Sequence, residues 1–172
     1  MWGFVEAHDY RLMRHIHRWQ PPRWFRIWMI AATRCGDGWL WYALAPLVLL
    51  FGGEARYVAV TAAGLAALTG VGLFLVLKRA SGRKRPCALE PHCWARLLPP
   101  DQFSFPSGHS ITAFAVAVPL GCLYPALLLP LLFLAASVAA SRIVLGMHFL
   151  SDVVAGCGIG VTLGYTFLSL LT

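Results

Sequence analysis

Charge is what this sequence has least of: Asp, Glu, Lys and Arg make up 12% of its 172 residues, where a soluble globular domain carries about 25%. Acidic residues are the scarcer kind, seven against 14 basic ones, and they form no cluster of the sort that holds magnesium. The five cysteines include no CxxC pair, so a zinc site built on thiolates is not expected. Glu6, His8 and Asp9 interrupt the N-terminus, and no apolar core leads to a small-residue cleavage site there. A cleaved signal peptide is therefore not expected. Internal repeats are missing too, and residues 1–172 read as a single domain.

Apolar residues fill the space that charge leaves. They account for 59% of the chain, the mean hydropathy is +0.68, and they come in blocks. These blocks are Trp39–Phe51, Tyr57–Leu77, Ile111–Leu123, Ala126–Ala140 and Val153–Leu171. With their flanks most approach the roughly 20 residues that cross a bilayer core. The fold class is all-α integral membrane: a bundle of five to six transmembrane helices preceded by an amphipathic interfacial helix. Residues 1–35 form the interfacial segment, in which six arginines alternate with Trp19, Trp24, Phe25, Trp28 and Ile30. Such a mixture sets cations against headgroups and aromatics against acyl chains. Residues 24–34 are too short and too basic to span alone. Residues 36–172 form the bundle, entered through a turn at Gly36-Asp37-Gly38 that Asp37 can cap. The proline-containing interval from Lys78 to Phe105 reads as a loop.

Three polar stretches stand at the ends of these blocks. Lys78 to Pro86 places five cations within eight residues, which suits either an anion site or a lipid-headgroup anchor. Pro106-Ser107-Gly108-His109 opens the next block. Free N–H groups and the positive helix end favour an anion there, although a Ser-capped helix with a passenger histidine has the same sequence. Ser141 to Asp152 contains Arg142, His148 and Asp152 in an apolar setting, where charge is costly and usually functional. His148 and Asp152 are four residues apart and would hydrogen-bond on one helix face. Gly146 lets the chain turn so that Arg142 and His148 face one point. An up-and-down order of helices brings all three stretches to one side of the membrane. The product is an anion pocket with two histidines, one of them paired with a carboxylate.

The three stretches resemble the signature of the type 2 phosphatidic acid phosphatase superfamily across about 75 residues, 78–152. Lys78, six residues and Arg85-Pro86 match its first motif, and Pro106 to His109 its second. Ser141-Arg142, five residues, His148, three residues and Asp152 match its third. The resemblance implies that His148 attacks phosphorus, that Asp152 orients it, and that His109 is the acid and base. It also implies that Lys78, Arg85, Ser107, Gly108 and Arg142 bind the phosphate, with neither a metal nor a cofactor. The implied substrate is a lipid phosphate or prenyl diphosphate drawn from membrane lipids, and no nucleic acid partner is expected. A lipid phosphotransferase would use the same intermediate, and a non-enzymatic lipid-binding or transport protein would show no turnover.

The implied location is a bacterial plasma membrane, with two readings of sidedness. Five spans put 13 of the 14 basic residues on the side of the site, only Arg56 lying opposite, which makes that side cytoplasmic. A sixth span within 24–34 would make it external. There a Cys87–Cys93 disulfide could form.

Overall fold

In the computed structural model, which describes residues 2–89 and 101–172, the chain is helical almost throughout. The elements are α1 (Trp2–Arg18), α2 (Arg23–Cys35), α3 (Trp39–Phe51), α4 (Arg56–Ser81), α5 (Pro86–Leu89), α6 (Gly108–Leu123), α7 (Pro125–Val144) and α8 (Leu150–Leu171). Cys93 and the expected Cys87–Cys93 pairing lie outside the described residues.

Two expectations need correction. The N-terminal segment is not one helix but two, because Pro21 and Pro22 cannot continue α1 and Pro22 stands extended before α2. The interval after Lys78 is not all loop. Helix α4 runs on to Ser81 and stops where Gly82 takes a left-handed φ of 58°, the usual glycine solution to a helix end. Lys78 therefore sits in the last turn of a rigid helix, not in the loop beyond it.

The helices alternate in direction. Tyr124, between α6 and α7, donates a hydrogen bond to the Gly52 carbonyl after α3 at 2.9 Å, which ties the far ends together. At the opposite end Lys78, His109, Arg142 and His148 share one cavity. The chain segments Gly53–Ser81, Pro125–Val144 and Leu150–Leu171 are long and apolar enough to cross a membrane. Helices α3 and α6 are shorter, at about 20 and 24 Å of rise. Leu68, Leu129, Phe133 and Val154 are exposed, as side chains meeting acyl chains would be.

Helix α6 is the central post, buried at Ile111, Ala113, Ala115, Val116 and Ala117 and flanked by α4, α7 and α8. Its tight seam with α8 depends on Gly160, where a Cβ would come within 2.5 Å of the Ile111 carbonyl oxygen. Small residues permit this close approach where lipid supplies no hydrophobic drive for association. The seam sets the start of α6 beside the start of α8. Helix α2 packs on α7 near the site end of the bundle. Phe25 packs against the cluster of Met29, Leu145 and Met147, and Thr33 accepts a short hydrogen bond from Arg142. Further along α7, Trp28 stacks on Phe133 with ring centroids 5.9 Å apart.

Candidate active site

Each polar stretch is aimed by a local device. In the third, Gly146 adopts a φ of 68°, a conformation that glycine enters without steric penalty. The chain then folds back, and the N–H groups of Met147 and His148 both donate to the Arg142 carbonyl at 3.0 Å. Arg142 and His148, six residues apart in sequence, so face one cavity. In the second, Ser107 caps α6 and accepts from Ser110, while its own N–H donates to the Asp152 carbonyl at 3.0 Å. In the first, Ser104 holds the strand-like path of Arg83 and Lys84: its N–H donates to the Arg83 carbonyl at 2.8 Å and its hydroxyl to the Lys84 carbonyl at 3.2 Å.

A cavity of about 610 Å³ opens between α3, α4 and α6. Lys78, Arg85, Gly108, His109, Arg142 and His148 line its polar end, together with Asp37 and Asp101. Six of the eight residues expected at the site are thus brought together. Ser107 and Asp152 are fully buried and stand behind the cavity wall. The Ser107 hydroxyl accepts from the Ser110 N–H and hydroxyl in the cap of α6.

The protonation pattern follows from donor and acceptor rules. The Arg85 guanidinium donates to the Met147 carbonyl at 2.8 Å and lies 3.1 Å from His148 Nε2. A guanidinium can only donate, so Nε2 accepts and carries a lone pair. Among the described residues His148 Nδ1 makes no side-chain hydrogen bond, and it stands 3.7 Å from the Asp152 carboxylate. The hydrogen bond expected between them is not made, because His148 precedes α8 in the turn and the two do not share a helical face. Burial, then the fields of Arg142, Arg85 and Lys78, hold His148 well below the ordinary imidazole value of 6.5. Across the cavity, His109 Nε2 lies 2.9 Å from Asp37 Oδ1, so that nitrogen bears the proton. Burial would raise Asp37, but the bonds and charges of His109 and Arg34 outweigh it and keep the carboxyl below 3.8.

Three carboxylates and an arginine complete the site. Asp101 accepts from Lys78 at 2.5 Å and from Arg85 at 2.9 Å. Burial pushes it upward, but these two cations prevail and its pKa is lowered. Asp37 meets His109, as above. Arg83 donates to Asp152 at 2.6 Å and to Asp9 at 2.7 Å. In the sequence Arg83 is one of five undifferentiated cations, Asp37 lies in a turn, and nothing local distinguishes Asp101. Only the scarcity of acids, seven in the chain, could have marked them, since a rare charge in an apolar chain is costly. Arg142, 3% exposed, keeps an unpartnered Nε beside the cavity it lines.

A helical membrane protein whose cavity gathers Lys78, Arg85 and Arg142 with two histidines is the class that this fold and geometry define. Residues 55–172 match the PAP2 superfamily, and the chain belongs to that family. A decaprenylphosphoryl-5-phosphoribose phosphatase of Mycobacterium tuberculosis (strain CDC 1551 / Oshkosh) is 34% identical over 128 residues, 74% of this chain and 68% of its own. The crystal structure of Aquifex aeolicus LpxE superposes with a TM-score of 0.77 at 27% identity, covering 92% of this chain and 93% of that one. The transmembrane PAP2-type phosphatidylglycerolphosphate phosphatase from Bacillus subtilis gives 0.74 at 25% identity, over 96% and 85% of the two chains. The relatives are bacterial phosphatases of lipid phosphates, and the chain is an enzyme of that kind.

Proposed function

We propose that this enzyme hydrolyses a long-chain lipid phosphate or prenyl diphosphate of the bacterial plasma membrane through a phosphohistidine. The observation that carries the reading is the pairing across one cavity of a lone pair on His148 Nε2 with an N–H on His109 Nε2. His148 Nε2 attacks phosphorus and the bond from phosphorus to the lipid oxygen breaks. His109, as the imidazolium that the Asp37 carboxylate favours, gives its Nε2 proton to the departing oxygen and is left neutral. In the second step His109 takes a proton from water, the water oxygen bonds to phosphorus, and the bond to His148 breaks to release phosphate. Such acid–base alternation at one imidazole is worth about 10²–10⁴-fold. Lys78, Arg85 and Arg142 take up the charge on the nonbridging oxygens, with Gly108 at the start of α6 beside them. Asp152 stands behind His148 and stabilises the positive charge that develops on it.

The cavity supports a lipid as substrate. From its polar end it continues past Phe74, Val71, Leu68 and Gly64 to Val60 on α4, and to Val48 on α3 and Leu120 on α6. Lys78 to Val60 corresponds to about 27 Å of helix, close to the roughly 30 Å of a bilayer core. Phosphate would thus sit at the interface while its chain follows an apolar groove into the membrane.

The test is release of inorganic phosphate by purified protein from long-chain lipid phosphates and prenyl diphosphates, with divalent metals chelated. Wild-type turnover and its loss in His148→Ala are expected. Turnover persisting in His148→Ala would remove the nucleophile assignment, and a phosphorylated acceptor in place of free phosphate would make the enzyme a transferase.

A further inference from the structure

Helix α1 lies outside the region that matches the family, which begins at residue 55, yet its Asp9 reaches the catalytic end of the bundle. Asp9 is 5% exposed, in a helix whose Glu6, Arg11 and Arg14 are exposed. A buried carboxylate costs several kcal/mol unless it is paired, and Asp9 is paired three ways. It accepts from Arg83 at 2.7 Å and from the Ser151 N–H at 3.1 Å. It also accepts a short bond from the Ser151 hydroxyl. Its position at the first turn of α8 adds the favourable end of the helix dipole.

The same guanidinium reaches Asp152. One nitrogen of Arg83 donates to Asp152 Oδ1 at 2.6 Å and to the Ser151 hydroxyl at 2.7 Å, while the other holds Asp9. The Arg83 guanidinium also lies over the Phe149 ring, 4.3 Å from its centroid. The second oxygen of Asp152 accepts from the Phe149 N–H at 2.8 Å and lies 3.7 Å from His148 Nδ1. Phe149, the residue after His148, is therefore gripped at both its ring and its backbone by this network. Neither Arg83, Asp9 nor Asp152 lines the cavity, so the network can act only through the groups it positions.

We propose that Arg83 is a positioning residue that sets the Asp152 carboxylate behind His148, and that Asp9 holds Arg83 in that pose, making α1 part of the catalytic apparatus. This rests on the reading of His148 and Asp152 given above. A fork with two nitrogens bridges two carboxylates; an ammonium on a flexible stem cannot do so with the same geometry. Displacement of Asp152 by about 1 Å would cost turnover about 100-fold without weakening substrate binding.

The experiment uses the full-length protein in detergent micelles, with phosphate release from a long-chain lipid phosphate as the assay. Arg83→Lys, Asp9→Asn and Asp9→Glu are compared with wild type at a temperature below each variant's melting midpoint. Arg83→Lys is expected to lower kcat about 100-fold and Asp9→Asn about tenfold, each with KM within twofold of wild type. Asp9→Glu, which keeps the charge, is expected to recover most of the loss seen in Asp9→Asn. Wild-type kcat in both Arg83→Lys and Asp9→Asn would overturn the proposal. So would losses that appear in KM alone, since the network touches no part of the cavity. Absence of phosphate release from wild type itself would instead remove the phosphatase reading on which the proposal stands.

Discussion

His148 Nε2 accepts a hydrogen bond from Arg85 at 3.1 Å, and this contact fixes which ring nitrogen is free to attack. Arg85, one of the residues proposed to hold the phosphate, thus also sets the tautomer of the proposed nucleophile.

The acid limb of the pH profile follows from this arrangement. His148 is held well below 6.5 in the folded protein, so it is neutral at pH 7. After correction for ionisation of the substrate, the acid limb of kcat/KM should lie below pH 6.5, and an acid limb centred above that value would contradict the assignment. Stability carries the same sign. The unfolded chain binds the proton first as pH drops, so the contribution of neutral His148 is fully present above 6.5 and is lost as pH falls toward the native pKa. Melting midpoints should accordingly be lower at pH 5 than at pH 7.

Leaving-group chemistry isolates His109. Its Nε2–H is the proton that a poor leaving group requires, whereas an aryl oxide departs unaided. His109→Gln should lower phosphate release from an alkyl phosphate about 10³-fold and from a nitrophenyl phosphate far less. Asp37→Asn should act in the same direction but more weakly, because it removes the carboxylate at 2.9 Å that favours the protonated ring. Equal losses on both substrates would sink the acid assignment.

Asp101 is bound at 2.5 and 2.9 Å to Lys78 and Arg85, two of the cations proposed to hold the phosphate. A substrate must displace it from both cations. Charged hydrogen bonds of this kind contribute about 1.5–3 kcal/mol each, so Asp101→Asn should lower the KM, and the inhibition constant of inorganic phosphate, by about tenfold. A rise in both constants would show that Asp101 organises the cations for the substrate instead of competing with it.

Gly64 tests the groove. It lines the cavity, and an added Cβ there meets nothing within 4 Å, so a larger side chain enters free space without disturbing the backbone. Gly64→Leu should raise KM for long-chain substrates at least several-fold, while short-chain phosphates, which end before Gly64, keep the wild-type value. Matching KM changes for both chain lengths would place the lipid elsewhere.

Much of this protein was legible in its order of residues. Five apolar blocks in a chain with 12% charge dictate a helical membrane bundle, because lipid leaves the backbone no partner but its own helix. Alternation of direction then carries Lys78, His109 and His148 to one end, whatever the details of packing. The pattern around Arg85-Pro86, Pro106–His109 and Arg142–Asp152 marks the chemistry, since each motif is local and its spacing survives folding unchanged.

What only the tertiary structure decided is the company those residues keep. Asp9 and Arg83 are 74 positions apart, Asp37 and His109 72, and Lys78 and Asp101 23. No periodicity links such pairs. They meet because burial in a medium of low dielectric leaves each charge a choice between finding an opposite one and a penalty of several kcal/mol. Local spacing proposed a bond between His148 and Asp152. The turn at Gly146 instead left 3.7 Å between them and gave Asp152 to Arg83.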